Sequence, residues 1–155
     1  MNDPEWLERA VVLATENVAA GGGPFGALIT MNGKLVSTGV NRVTRDFDPS
    51  AHAEVVAIRN ACAALSNFSL EGAVLFSSCE PCPMCASTAL WARLDRVVFA
   101  ADRHDAARGG FDDRKFYDLF GQDSELWPTP VLQHPLNSAR APFDAWLLTD
   151  DRTHY

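Results

Sequence analysis

Ser78-Cys79-Glu80-Pro81-Cys82-Pro83-Met84-Cys85, read together with the upstream Ser50-Ala51-His52-Ala53-Glu54, decides how this chain is organised. Zinc takes sulfur and imidazole ligands in a tetrahedral shell, and three protein ligands leave the fourth corner to water. His52, Cys82 and Cys85 supply such a triple. Ser50 precedes a helical pattern from about Ala51 to Ala64, with Val55, Val56, Ile58 and Ala61 on its buried side. Pro81 and Pro83 mark the start of a second helix over Met84 to Ala92, whose first turn carries Cys82 and Cys85 on one face. A helix start favours thiolate over thiol, and two helix starts aimed at one point would also offer backbone N–H groups to a developing negative charge.

The chemistry follows from the residue types. Water on a zinc ion ionises near neutral pH, which makes a hydroxide nucleophile available under mild conditions. Glu54, two positions beyond the histidine, is placed to serve the metal without binding it and to shuttle protons as general base and acid. Cys79 extends the pair to C-x-x-C-x-x-C, the opening of a bacterial ferredoxin cluster run, but the fourth cysteine and its proline are missing. Cys79 closes the strand-like run Val74 to Ser78 and reads as a buried thiol beside the site; Cys62 reads as core. A non-catalytic zinc or iron–sulfur module is the reading from another class.

Outward from these motifs, strands alternate with helices. Asp3 is the expected cap of a first helix, with Pro4 at its first position, running to about Ala20 before Gly21-Gly22-Gly23-Pro24. Strands are expected at Phe25 to Met31 and Lys34 to Val40 around the hairpin signal Asn32-Gly33. Further strands follow at Ala73 to Ser78, Arg96 to Ala101 and Pro130 to Gln133, and an amphipathic segment at Ala141 to Leu148 precedes the tail Thr149 to Tyr155. The pattern predicts an α/β, three-layer helix-sheet-helix sandwich with the metal at helix ends over one side of the sheet.

At 155 residues the chain suits one domain spanning 1–155, and 47% hydrophobic residues is ordinary for a globular domain. No apolar run reaches the roughly twenty residues of a membrane span, and the amino terminus lacks a basic region, so a cytoplasmic protein without membrane partners is expected. A net charge of −7 without lysine or arginine clusters is the wrong sign for holding a polyanion, which argues against a nucleic-acid partner. The triple glycine lacks the Gly-Lys-Ser or Gly-Lys-Thr ending of a phosphate loop. His104, His134 and His154 lie outside any ligand spacing, and Met84 reads as core filler.

With these residues in view, the H-x-E and P-C-x-x-C pair fits the signature of zinc-dependent nucleobase deaminases. The chain resembles the cytidine deaminase superfamily and, within it, the bacterial guanine deaminases. The segments carrying the likeness are Gly23-Pro24-Phe25-Gly26-Ala27, Asn41, Asp48 to Glu54, Ser78 to Cys85, Trp91-Ala92-Arg93, Gly110-Phe111-Asp112-Asp113, Pro142 to Trp146 and Tyr155. The resemblance implies a five-stranded mixed sheet with its first pair antiparallel and helices on both faces. It also implies a homodimer whose carboxyl-terminal segments, here 141–155, are exchanged so that Tyr155 covers the partner's pocket. Each subunit would hold one Zn2+ with a bound water or hydroxide, and the reaction would be hydrolysis of guanine to xanthine and ammonia. Guanosine, cytosine or another aminated ring is the alternative substrate; a tRNA adenosine deaminase would need a basic RNA-binding surface.

A site for guanine, a small purine, should pair a carboxylate with the ring N–H and exocyclic amine and an amide with the remaining polar edge. Asp113 and Asn41 suit those parts, and a buried carboxylate left unpaired by a different base would cost about 1–3 kcal/mol. Phe25 and Trp91 are candidates to stack on or wall the ring. Ala53 and Tyr155 complete the expected substrate contacts. Each has a plainer reading: Phe25 and Trp91 as core, Asn41 as a turn cap, Asp113 as the cap of the next helix.

Overall fold

Asn32 and Gly33 both take left-handed backbone, with φ of 51° and 70°, and fold β1 (Gly26–Met31) back on β2 (Lys34–Val40). This is the geometry that matches the right-handed twist of paired strands. A register shift between Ile29 and Thr30 marks a bulge in the hairpin. β1 also pairs antiparallel with β3 (Ala73–Cys79), and β3 pairs parallel with β4 (Arg96–Ala101), giving the sheet order β2-β1-β3-β4.

The computed structural model describes all residues from 1 to 155 and divides into two compact units, Met1–Tyr117 and Asp118–Tyr155. In the first unit the alternation of β1 sorts the core. Ala27 and Ile29 join Leu75 under α3 (Ala53–Leu65) and α4 (Pro83–Trp91), whereas Leu28 and Phe76 meet Trp6 and Ala10 of α1 (Asp3–Ala19) on the opposite face. The three layers expected from the pattern are therefore present. The cap of α1 is Asn2 rather than Asp3: the Glu5 amide donates to Asn2 Oδ1 at 3.0 Å while the Asn2 amide donates to Glu5 Oε2 at 2.8 Å. This reciprocal box satisfies two orphan amides, and Asp3 is left to pair with Arg96 of β4.

Short helices α2 (Val43–Asp46), α5 (Arg103–Arg108) and α6 (Asp113–Phe120) fill the loops. In the second unit, a 3-10 turn at Ser124–Leu126 and α7 (Ala141–Leu147) are the regular elements, and Arg152 donates to the carbonyls of Leu147 and Thr149 at the end of α7. The strand expected at Pro130 to Gln133 does not form, so the sheet has four strands and not five. Pro128, Pro130 and Pro135 remove three amide donors around that segment, which weakens any ladder it could join. No helix is long and apolar enough to cross a membrane.

Candidate active site

His52 is the N-cap of α3 and Cys82 the N-cap of α4, both in extended backbone, so both residues sit at the positive ends of helices. Pro83 at the first position of α4 lacks an amide that would have no helical partner there. α3 lies close on β2 because Gly39 has no side chain: a Cβ there would collide with the Ala53 carbonyl and the Ala57 amide. Ordinary backbone rules thus bring two helix starts to one point.

At that point Cys82 Sγ and Cys85 Sγ are 3.6 Å apart, and His52 Nδ1 lies 3.6 Å and 3.5 Å from them. A tetrahedral zinc with bonds of about 2.0–2.3 Å needs donor edges of roughly 3.3–3.8 Å. The triangle fits that ion, with Nδ1 as the imidazole ligand. The electrostatics agree. The hydrogen bond between the two sulfurs holds the Cys82 thiol down to about 4 and raises Cys85. The hydrogen bond with Cys82 raises His52.

Glu54 is buried beside the triangle. Its Oε2 lies 3.4 Å from Cys85 Sγ, Ser77 donates to its Oε1 at 3.2 Å, and burial pushes its carboxyl above the ordinary range. A raised carboxyl suits proton transfer near neutral pH. The group is not one of the three ligands.

Above the triangle opens a cavity of about 440 Å³ lined by His52, Glu54 and Cys82 at its base and by Phe25, Asn41, Asp113 and Phe111 higher up. Phe25 and Phe111 meet edge to face at 4.8 Å between centroids, forming an aromatic wall. The Asn41 amide donates to the Phe25 carbonyl, and the buried Asn17 donates from one side-chain nitrogen to the carbonyls of Gly23 at 2.8 Å and Asn41 at 2.9 Å. The Gly21-Gly22-Gly23 wall is thereby tied to Asn41. Burial raises the Asp113 carboxyl. On the other side, Arg103 chelates Glu80, stacks 4.0 Å over Tyr117, and Tyr117 donates to the Pro81 carbonyl at 2.6 Å, bracing the turn that carries Cys82.

The structure thus brings together His52, Glu54, Cys82, Cys85, Phe25, Asn41 and Asp113. Ala53 is buried at the first position of α3 and does not line the cavity; Trp91 is exposed at the end of α4, its ring near Arg93. Tyr155 lies in the second unit and is exposed. Cys79 is buried, and burial pushes its thiol up to about 11, as expected for an inert neighbour rather than a ligand. The donor set has three members, one imidazole and two thiols, and lacks the four cysteines of the common iron–sulfur clusters.

Residues 1–101 match the model of the cytidine and deoxycytidylate deaminase zinc-binding region. The chain belongs to this deaminase family. The matched region is described as zinc-binding, and His52, Cys82 and Cys85 offer the imidazole and thiol donors that zinc takes, so zinc is the ion the residues fit. Among curated members, a protein of Bacillus subtilis called guanine deaminase is 47% identical over 147 residues, covering 94% of each chain. The X-ray structure of guanine deaminase from Bacillus subtilis superposes with a TM-score of 0.97 at 45% identity, over 100% of this chain and 99% of that one. A further solved structure, in complex with 2,6-diaminopurine, has a TM-score of 0.70 at 33% identity over 72% of this chain and 63% of the other.

Phe111, Asn17, Ser77 and the clamp of Glu80, Arg103 and Tyr117 were not singled out as site residues by sequence. Phe111 and Glu80 lay within segments that carry the family likeness, and Ser77 left a trace of another kind, a hydroxyl in a strand whose alternation otherwise puts apolar side chains on the face toward α3.

Proposed function

We propose that this deaminase hydrolyses guanine to xanthine and ammonia. The observation that carries the proposal is the three-donor triangle with Glu54 beside it, at the base of a cavity whose walls hold one amide, Asn41, and one carboxylate, Asp113. A zinc ion held by His52, Cys82 and Cys85, one per subunit, would supply Lewis acidity and activate water as the nucleophile at neutral pH.

The chain's own residues do the rest. His52, Cys82 and Cys85 hold the ion. Glu54 accepts one proton of the attacking water and passes it to the ring nitrogen next to the amine-bearing carbon, then takes the second proton from the added hydroxyl and delivers it to the departing amine, so water and guanine balance against xanthine and ammonia. Asp113 accepts from the ring N–H and the exocyclic amine. Asn41, whose Oδ1 accepts from the Val43 amide at 3.3 Å, offers its NH2 to the carbonyl edge. Phe25 walls the flat ring and is held upright by Phe111.

The substrate is a small purine rather than nucleic acid: the net charge is −7, and the likeness to the Bacillus subtilis guanine deaminase runs through both units of the chain. We further propose a homodimer in which 141–155 is exchanged, giving one deaminase domain per site. No residue from Asp118 onward is buried, and Phe143, Leu147 and Leu148 are all more than half exposed, which a second copy of the chain would relieve. Exchange would bring Tyr155 to a partner's cavity.

Ammonia release by the zinc-loaded protein across guanine, guanosine, cytosine, adenine and a tRNA anticodon stem tests the proposal. Guanine is expected to have the highest kcat/KM, and a higher value for any other arm would refute it.

A further inference from the structure

Ser77 is fully buried on β3, where it lies opposite Ala27 of β1 and next to Phe99 of β4. Burying a hydroxyl without a partner is costly, so its bonds reveal its task. Two are made. The Cys79 amide donates to Ser77 Oγ at 3.4 Å, and Ser77 Oγ donates to Glu54 Oε1 at 3.2 Å. With the amide directed at the oxygen lone pair, the hydroxyl proton has only the carboxylate as its acceptor. The other carboxylate oxygen, Oε2, lies on the side of the metal ligands, 3.4 Å from Cys85 Sγ. A thiolate bound to zinc has no proton to give, so Cys85 cannot orient Glu54 once the ion is in place.

We propose that Ser77 is a positioning residue for deamination: by tethering Oε1 from the sheet it fixes the plane of the Glu54 carboxylate and makes Oε2 the oxygen that carries the proton. The two oxygens are chemically equivalent in a free carboxylate, and the relay Cys79 N–H to Ser77 O–H to Glu54 breaks that equivalence. Glu54 reaches the site on the first turn of α3, whereas Ser77 reaches it from the sheet. The tether therefore also ties the proton carrier to the strand that leads into Cys82.

The proposal rests on the deaminase reading, and its test separates the two. Full-length, zinc-loaded Ser77→Thr and Ser77→Val have nearly the same shape and differ by the hydroxyl. Ser77→Thr is expected to keep kcat for guanine within about threefold. Ser77→Val should lose about 10- to 100-fold in kcat, the span of a hydrogen bond to a charged group, with KM and zinc retention against a chelator unchanged. Ser77→Ala, which adds no volume, repeats the loss should the branched variants fail to fold. Crystal structures of the zinc-loaded wild type and Ser77→Ala give a readout independent of turnover: the Glu54 carboxylate should rotate or occupy two orientations only in the variant. Wild-type kcat in Ser77→Val, equal losses in Thr and Val, a change carried by KM, or an unmoved carboxylate would each overturn the role. A wild type inactive on guanine would instead count against the substrate, leaving the crystallographic arm to judge Ser77.

Discussion

Alanine at Gly39 should damage catalysis although Gly39 touches no substrate. Its Cβ would meet the Ala53 carbonyl and Ala57 amide well inside contact distance, and Ala57 Cα at 3.0 Å, where ordinary contact begins at 3.4 Å. All three are backbone atoms of the first turns of α3, so no rotamer change relieves the clash; β2 and α3 must separate by about 1 Å. Overpacking of this kind costs about 1–3 kcal/mol. The helix that moves carries His52 and Glu54, while Cys82, Cys85 and Ser77 stay with β3 and α4. A displacement of about 1 Å at a reacting group lowers rates by about 100-fold. Urea unfolding, zinc retention and kcat/KM for guanine should therefore all fall in Gly39→Ala. Gly33→Ala is the control, because Gly33 has φ of 70° with nothing within 4 Å of its Cβ. It should lose about 1 kcal/mol of stability through strained backbone and none of its kcat/KM. If Gly39→Ala keeps kcat/KM within threefold, or Gly33→Ala loses as much, the close approach of α3 to β2 does not position the site.

Glu54→Gln should retain zinc by metal analysis while kcat drops about 10²–10⁴-fold, and a variant of normal turnover would remove Glu54 from proton transfer. Asp113→Ala should lower kcat/KM for guanine about 10- to 100-fold, the worth of hydrogen bonds to a charged acceptor, and unchanged kinetics would take Asp113 out of the pocket. Mixing and reassembling inactive Glu54→Gln and Tyr155→Ala chains should restore about a quarter of wild-type activity, since about half the dimers are mixed and each holds one intact site; no recovery would refute exchange of the tails. The Asp3 carboxyl is held below its ordinary value of 3.8 chiefly by its hydrogen bond with Arg96. A depressed carboxyl stabilises the fold above the unfolded value and loses that contribution as pH falls through the folded one. Thermal midpoints of Asp3→Asn should thus lie below wild type at neutral pH and converge with it in acid, whereas a gap constant with pH would contradict the pairing.

The metal site was legible because its parts are local. His52-Ala53-Glu54 and Pro81 to Cys85 are each helix starts, and capping rules act over a few residues. The same holds for the hairpin at Asn32-Gly33, where two left-handed residues in a row leave few alternatives. The first helix start was misplaced by one residue because Asn2 and Asp3 are both good caps, and only the reciprocal bond with Glu5 chooses between them. The fifth strand failed for a different reason: Val131-Leu132-Gln133 has strand-like residues, but a strand exists only with a neighbour, and three prolines stand around it.

By itself, then, the order of residues determined the donor set, the carboxylate placed beside it, the alternation of helices and strands, and the acidic charge that disfavours nucleic acid. Those properties depend on side-chain chemistry and on bonds spanning three or four residues. Tertiary structure alone decided that Asn17 ties the glycine wall to Asn41, that Phe111 stands against Phe25, that Gly39 admits α3, and that Ser77 holds one oxygen of Glu54. Each of these joins segments distant along the chain, and their meeting is set by how sheet and helices pack, a relation no local pattern encodes.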